Sequence, residues 1–322
     1  MKPEVLKGHS NLDGSKFVDM FTFKSGDTVP IYEVITTGGL NQIIGYAKFV
    51  NSCYGNVYYR GVGGIYDNVL PALMRNRVNS GAADLNKIIS SVHNDRRLFK
   101  SLKLRDLITP TSTEDKIANN RTTRYNRYSI EAVMQHYAGV TRFLDVVDNH
   151  WVAIWMGLHK FISRGKRGEF CKCERRKVSV GDIYENISAA VPLNDNAFLY
   201  LLLIAMPYPK ITPKYGITET DLFVEVDLRK ALPSIYLRPH AQHALVIRKR
   251  EKNVKSAQDY DMASQVIGIL KIRVDRADEW ISEGSLLTDD NLFPSPSIDH
   301  GYDVLLQRSD IFTWPFEIVK YF

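Results

Sequence analysis

The chain has 322 residues, 44% apolar and 24% charged, with 42 basic against 36 acidic side chains, a net charge of +6 and a pI near 9.0. Those proportions exclude a disordered or fibrous chain and predict a globular protein with a large core. The mild cationic bias permits RNA, DNA or an acidic protein as partner and requires none of them.

Met1-Lys2-Pro3-Glu4 leads into no apolar segment of a signal peptide. The longest apolar runs, 151–158 and 198–206, are too short to span a bilayer. The three cysteines, Cys53, Cys171 and Cys173, do not make a disulfide framework. The expectation is a cytoplasmic protein with no membrane partner. Cys171-Lys172-Cys173 has the look of half a metal site, but no second Cys/His pair stands at ligand spacing, so two loosely placed thiols and no metal are expected.

In chain order, 16–35 reads as two short strands around Ser25-Gly26-Asp27, and 39–50 as a helix carrying Leu40, Ile43, Ile44 and Phe49. Residues 56–60 read as a strand that breaks at Gly61, Gly63 and Gly64. A helix is predicted over 84–108 and a polar loop over 109–127. The next helix is placed at 129–138: Ser129 caps it, Ile130, Val133, Met134 and Tyr137 form one stripe, and Gly139 stops it. Residues 149–162 read as a buried helix capped by Asp148 or Asn149, and 164–177 as a basic loop.

Strands are predicted over 198–205, 223–228, 244–248 and 266–274. Helices are predicted over 275–283 and 300–308, the latter after the Pro-rich turn at 294–296. Strands and helices do not alternate strictly. The fold class is therefore α+β, with a split, mostly antiparallel β core and flanking helices, rather than a doubly wound sheet.

Three separated segments concentrate polar chemistry. In Tyr58-Tyr59-Arg60-Gly61, a strand-end Arg can reach a phosphate with its fork, and the glycines admit a ligand close to backbone; alone, it is equally a surface Arg before a turn. The run 135–145 packs Gln135, His136, Tyr137, Thr141, Arg142 and Asp145 between two apolar helices, the second opening on a natural anion site. There, Arg142 and Asp145 have the alternative of pairing with each other, and His136 of being a core histidine. The third segment holds Arg238, His240, Gln242 and His243 just before a strand.

Together these segments resemble the FRG domain, a bacterial and phage family named for its Phe/Tyr-Arg-Gly signature. Tyr59-Arg60-Gly61 matches the signature, and 70–75 (Leu-Pro-Ala-Leu-Met-Arg) resembles the segment that follows it. Residues 135–145, followed by Val152-Ala153, resemble the family's Gln-His-Tyr block; Arg238…Gln242 resembles its late Arg…Gln motif; and Leu292-Phe293-Pro294 resembles an element near its end. Ala138 in place of Gly, Val146 in place of Trp and 244–246 in place of Gly-x-Phe mark a divergent member. The resemblance spans roughly 40–310, which implies a single FRG-type domain over 1–322, with N-terminal strands in 1–38, the core in 39–310 and a tail in 311–322.

The FRG layout is similar to that of ADP-ribosyltransferases, and this fold-level analogy implies an enzyme that uses NAD as substrate. Arg60 would hold the pyrophosphate, with Tyr59 and Gly61 beside it. Tyr137 or Tyr59 would stack on nicotinamide, and Thr141 and His136 would bond to ribose, with Arg142 in the same cofactor-binding set. Cleavage passes through a cationic, oxocarbenium-like state that a carboxylate stabilises. Gln242 can bond a ribose hydroxyl but cannot neutralise that cation. Asp145 is the first choice for the carboxylate and Glu225 the second.

The acceptor expected is nucleic acid, RNA above all, or protein. Basic stretches at 96–105, 121–128 and 164–177 are candidate surfaces, and in the second Arg121, Arg124 and Arg127 interleave with tyrosines, as suits a single strand. The resemblance further implies a toxin or anti-phage effector held by an antitoxin or regulatory protein. The rival reading is a non-catalytic RNA-binding or phage-sensing module. A metal-dependent nuclease ranks last, since no clustered carboxylate set is visible.

Overall fold

The structure is a computed structural model that describes residues 2–7, 13–75, 122–138, 141–164, 170–177, 197–209, 215–250, 254–282, 287–307 and 318–321. The helix predicted over 84–108 and residues 109–121 of the loop predicted over 109–127 lie outside them.

The chain folds into a mixed α/β structure built on a large, mostly antiparallel sheet. Strands β1 (Ser15–Thr22) and β2 (Thr28–Val34) form the predicted hairpin, turning at Gly26 with φ of 88°. Helix α1 (Thr37–Val50) follows; its Thr36 hydroxyl accepts the Gly39 N–H at 3.1 Å, one of the orphan donors at a helix start. Then come β3 (Gly55–Val62), α2 (Ala72–Arg75), α3 (Thr122–Ala138), β4 (Leu144–Val147) and α4 (His150–Leu158). After them run β5 (His159–Arg164), β6 (Phe170–Arg175), β7 (Phe198–Pro207), β8 (Ile217–Glu219) and β9 (Phe223–Asp227). The last elements are α5 (Leu228–Ala231), α6 (Arg238–Ala241), β10 (Ala244–Lys249), β11 (Val266–Arg273), α7 (Val274–Ser282), α8 (Asp289–Leu292), α9 (His300–Gln307) and β12 (Lys320–Tyr321).

Nine strands form one sheet in the order β1-β2-β11-β7-β3-β4-β10-β9-β8, antiparallel except for β2 with β11. A separate three-stranded sheet runs β12-β6-β5. Strand β7 lies inside the sheet between β11 and β3, and nine of its ten residues are buried, which explains its continuous apolar run. Its Leu199, Leu201 and Leu203 face α1, α4 and α7, and its Phe198, Leu202 and Ile204 fill the opposite face. Each such Leu contributes roughly 1.5–3 kcal/mol through burial. A third cluster packs Ala132, Val133 and Met134 of α3 against Val224, Val226 and Val246.

Four expectations are corrected. Helix α3 begins at Thr122, so 122–127 is helix and not loop, and Ser129 is buried inside the helix instead of capping it. The helix predicted to 162 ends at Leu158, and the chain turns extended at His159 (φ −111°, ψ 144°) to enter β5. The presumed basic loop contains β6, which pairs antiparallel with β5. The reason is period: a short run such as 158–163 fits a helix stripe and a strand equally, and the partner strand decides. Asn149 is the cap of α4, its side chain accepting the Trp151 N–H at 3.0 Å.

Candidate functional site

Strand order brings the three polar segments together. Tyr59 of β3 lies opposite Val147 of β4, and Val147 lies opposite Ala244 of β10. One row across the sheet therefore aligns the Tyr-Arg-Gly segment, the 135–145 block and the turn after Gln242. Beside this row opens a cleft of about 620 Å³. Tyr59, Arg60, Gly61, Arg75, Gln135, His136, Asp145 and Gln242 line it, with Phe293 and Tyr321 as an aromatic wall.

Arg60 is half-buried, and its Nη1 donates to the Asp145 carbonyl at 2.7 Å. Burial, helped by nearby Arg75 and opposed by Asp145, lowers its pKa to about 10, so it remains a cation at neutral pH. The Asp145 carboxyl accepts from the Gln135 amide. Burial raises its pKa, with Arg60 and the Gln135 hydrogen bond opposing. Gln135 is itself held: its Oε1 accepts the Thr141 hydroxyl at 2.6 Å, and Thr141 Oγ1 accepts the Phe143 N–H at 3.0 Å. The chain backbone thus aims the carboxylate through two side chains.

His136 presents a buried Nε2 with no hydrogen-bond partner among the described residues. Burial and the Arg238 guanidinium depress its pKa to about 3, so the ring is neutral at pH 7. Such an orphaned nitrogen on a cleft wall is costly unless a ligand or water completes it. Tyr59 leaves its hydroxyl unpartnered in the same way. Gln242 caps α6 and donates its amide to the Leu292 carbonyl at 2.7 Å, so one of its polar groups is already used.

Arg238 stands behind the wall. It is fully buried, its guanidinium carbon 4.3 to 4.6 Å from the ring centres of Tyr137, Tyr302 and Tyr321. Its Nη1 donates to the His136 carbonyl at 3.5 Å, and its backbone N–H donates to Asp299 at 3.1 Å. It fixes the His136 segment by cation–π contact and does not reach the cleft. His243 closes the same corner with a left-handed φ of 51° and a 3.0 Å contact between Nδ1 and Asp148.

Several predicted site residues lie elsewhere. Tyr137 is fully buried and donates its hydroxyl to Asp299 at 2.7 Å, so it has no face to offer a nicotinamide. Thr141 is buried and engaged with Gln135, not placed to meet a ribose. Arg142 is buried against Glu131, donating from Nε at 2.8 Å and from Nη2, while Asp145 accepts from Gln135 instead. Glu225 accepts the Tyr58 hydroxyl at 2.8 Å on another part of the sheet, and burial raises its pKa to about 7. Gly61 does line the cleft, but its missing side chain serves packing: a Cβ there would stand 1.7 Å from the Ala153 carbonyl, so α4 approaches the strand closely at this point. Each of these polar groups found a protein partner because a buried donor or charge left alone is unfavourable. Arg121 lies outside the described residues, and Arg124 and Arg127 are described only as part of the α3 backbone.

Arg75, Phe293 and Tyr321 were not among the predicted site residues. Arg75 sits in the apolar-Pro…Arg segment and Phe293 in Leu-Phe-Pro, so motif position was a usable signal for both. Nothing in the sequence marks Tyr321, which arrives through the pairing of β12 with β6.

The geometry defines a mixed α/β protein with a polar cleft holding two guanidinium groups and a half-buried carboxylate. The family model described as the FRG domain matches residues 55–163, which contain β3, Arg75, the 135–145 block and α4. The matched segment is about a third of the chain, and the likeness to the FRG domain is a statement about that segment; the Arg238 and Leu292 motifs lie beyond it. No curated protein and no solved structure matches the chain. Among the described residues no helix is long and apolar enough to cross a membrane.

Proposed function

We propose that the cleft binds NAD and cleaves its nicotinamide–ribose bond, transferring ADP-ribose to an acceptor. The observation that carries this reading is the placement of Arg60, Arg75 and Asp145 on one cleft of about 620 Å³. Two cations suit a pyrophosphate, and one half-buried carboxylate suits a sugar cation. Arg60 keeps Nε and Nη2 without a hydrogen bond among the described residues, so its fork is open to phosphate oxygens. In the reaction, the C1′–N bond breaks and its electron pair leaves with nicotinamide. The ribose cation forms beside Asp145, and the acceptor nucleophile attacks C1′ while its proton passes to base. Neutral His136 would exchange a hydrogen bond with a ribose hydroxyl. Phe293 and Tyr321 supply the aromatic surface for a base, a role Tyr137 cannot take. An ADP-ribosyltransferase-like layout and an RNA acceptor, in keeping with the +6 charge, belong to the same proposal, as does a restraining antitoxin partner.

One observation favours a second reading, a nucleotide-binding module without turnover. Gln242 spends its amide on the Leu292 carbonyl, which leaves the late motif less free to act on substrate. Incubation with NAD labelled on the adenylate half separates the two. Nicotinamide release with label transfer is expected, and both should vanish in Arg60→Ala and in Arg60→Lys, since an ammonium does not reproduce the planar fork. Binding without release would favour the module. Absence of both binding and release would reject the reading.

A further inference from the structure

At the rim of the cleft the small sheet assembles a second constellation. Cys173 pairs with Phe161 across β5 and β6, and His159 lies two residues before Phe161, so His159 and Cys173 share a face. Asp289, the first residue of α8, comes down onto that face. The ligand atoms of His159, Cys173 and Asp289 all lie within 4.8 Å of one another, and His159 Nε2 stands 3.6 Å from Asp289 Oδ1.

The histidine is prepared for such a role. Its Nδ1 is 2.7 Å from the Trp155 carbonyl, which can only accept, so Nδ1 carries the proton. The neutral ring must then present its lone pair on Nε2, toward Asp289 and Cys173. Its ring also stacks on Trp155 with centres 3.8 Å apart and planes at 23°, which holds the orientation. A backbone carbonyl fixing the far nitrogen is how metal-binding imidazoles are oriented.

We propose that His159, Cys173 and Asp289 form a binding site for a divalent zinc-like cation at the edge of the cleft. Imidazole, thiolate and carboxylate together suit Zn²⁺ above harder cations. Bonds of roughly 2.0–2.3 Å in a tetrahedron set ligand atoms about 3.5 Å apart, so the His–Asp spacing needs no rearrangement and Cys173 needs only a modest rotation. On binding, the Cys173 S–H becomes a thiolate and its proton goes to solvent. Three protein ligands leave a fourth position for water, and because His159 also lines the cleft, that position lies at its rim. The ion would tie β5, β6 and α8 together and so brace Phe293, one residue beyond α8. This site is independent of the NAD reading.

The test is a Co²⁺ titration of the chelator-treated full chain. Expected are a near-ultraviolet thiolate-to-cobalt charge-transfer band and visible bands of a tetrahedral ion, saturating at equimolar metal and bleached by Zn²⁺. Cys173→Ser should remove the charge-transfer band, whereas Cys171→Ser and Cys53→Ser should keep it. Asp289→Asn, a change at an exposed position that leaves folding intact, should weaken affinity roughly tenfold or more. No band in the natural chain, a band that survives Cys173→Ser, or unchanged affinity in Asp289→Asn would each overturn the proposal. The last result would leave a metal held without Asp289, which is not the site described.

Discussion

Replacing Glu131 by Gln tests whether Arg142 belongs to the fold or to a ligand. Arg142 and Glu131 are almost completely buried, and Glu131 receives the Arg142 backbone N–H at 3.2 Å, Nε at 2.8 Å and Nη2. An exposed pair of this kind would contribute at most about 1 kcal/mol. Here the amide puts an N–H where an oxygen met Nη2 and removes the Glu131 charge from beside a buried guanidinium. Breaking a buried pair from one side costs about 3–5 kcal/mol, a large part of a typical total stability of about 5–15 kcal/mol. Burial pushes the Glu131 carboxyl up, but Arg142, Arg248 and the hydrogen bonds outweigh it and hold the pKa below its ordinary 4.5. A carboxyl that titrates lower when folded stabilises above its unfolded value and loses that stabilisation as pH falls through its folded value. The gap between natural chain and variant, measured by urea denaturation, should therefore be full near neutral pH and narrow in acid below about 4.5. NAD affinity per folded molecule should not change. Equal stability of the two proteins, or loss of NAD binding with stability intact, would refute the structural role given to Arg142.

Asp145→Asn should slow nicotinamide release about 100- to 1000-fold with little change in NAD affinity, as for loss of a preorganised electrostatic group. Because burial raises the Asp145 pKa, the natural chain should lose activity as pH falls through a value above the ordinary 3.8, and the variant should lack that limb; matching pH–rate profiles would remove Asp145 from the chemistry. Gly61→Ala would put a methyl 1.7 Å from the Ala153 carbonyl and force β3 from α4. A loss of about 1–3 kcal/mol or more, with weaker NAD binding because Arg60 moves with the strand, is expected in thermal melts and titrations; an unchanged melting curve would contradict the packing described.

The elements legible in the sequence are those whose pattern is local. The hairpin around Gly26, the buried run of β7 and helix α1 follow from turn chemistry, continuous apolarity and a 3.6-residue stripe. Arg60, His136, Asp145 and Gln242 were legible as chemistry because each stands in a polar segment between apolar elements, and they share one cleft. What the sequence left open was which polar groups are consumed inside the protein. Tyr137 goes to Asp299, Thr141 to Gln135 and Arg142 to Glu131, and no spacing rule links those partners. The boundary at Leu158 was likewise undecided until β6 offered a hydrogen-bonding edge. Tertiary structure decided these matters because a buried polar group must find a partner wherever the folded chain supplies one. The order β3-β4-β10, which brings residues 60, 145 and 242 to one place, is a property of strand pairing across long separations. Local sequence therefore determined where polar side chains concentrate, and long-range pairing determined which of them line the cleft.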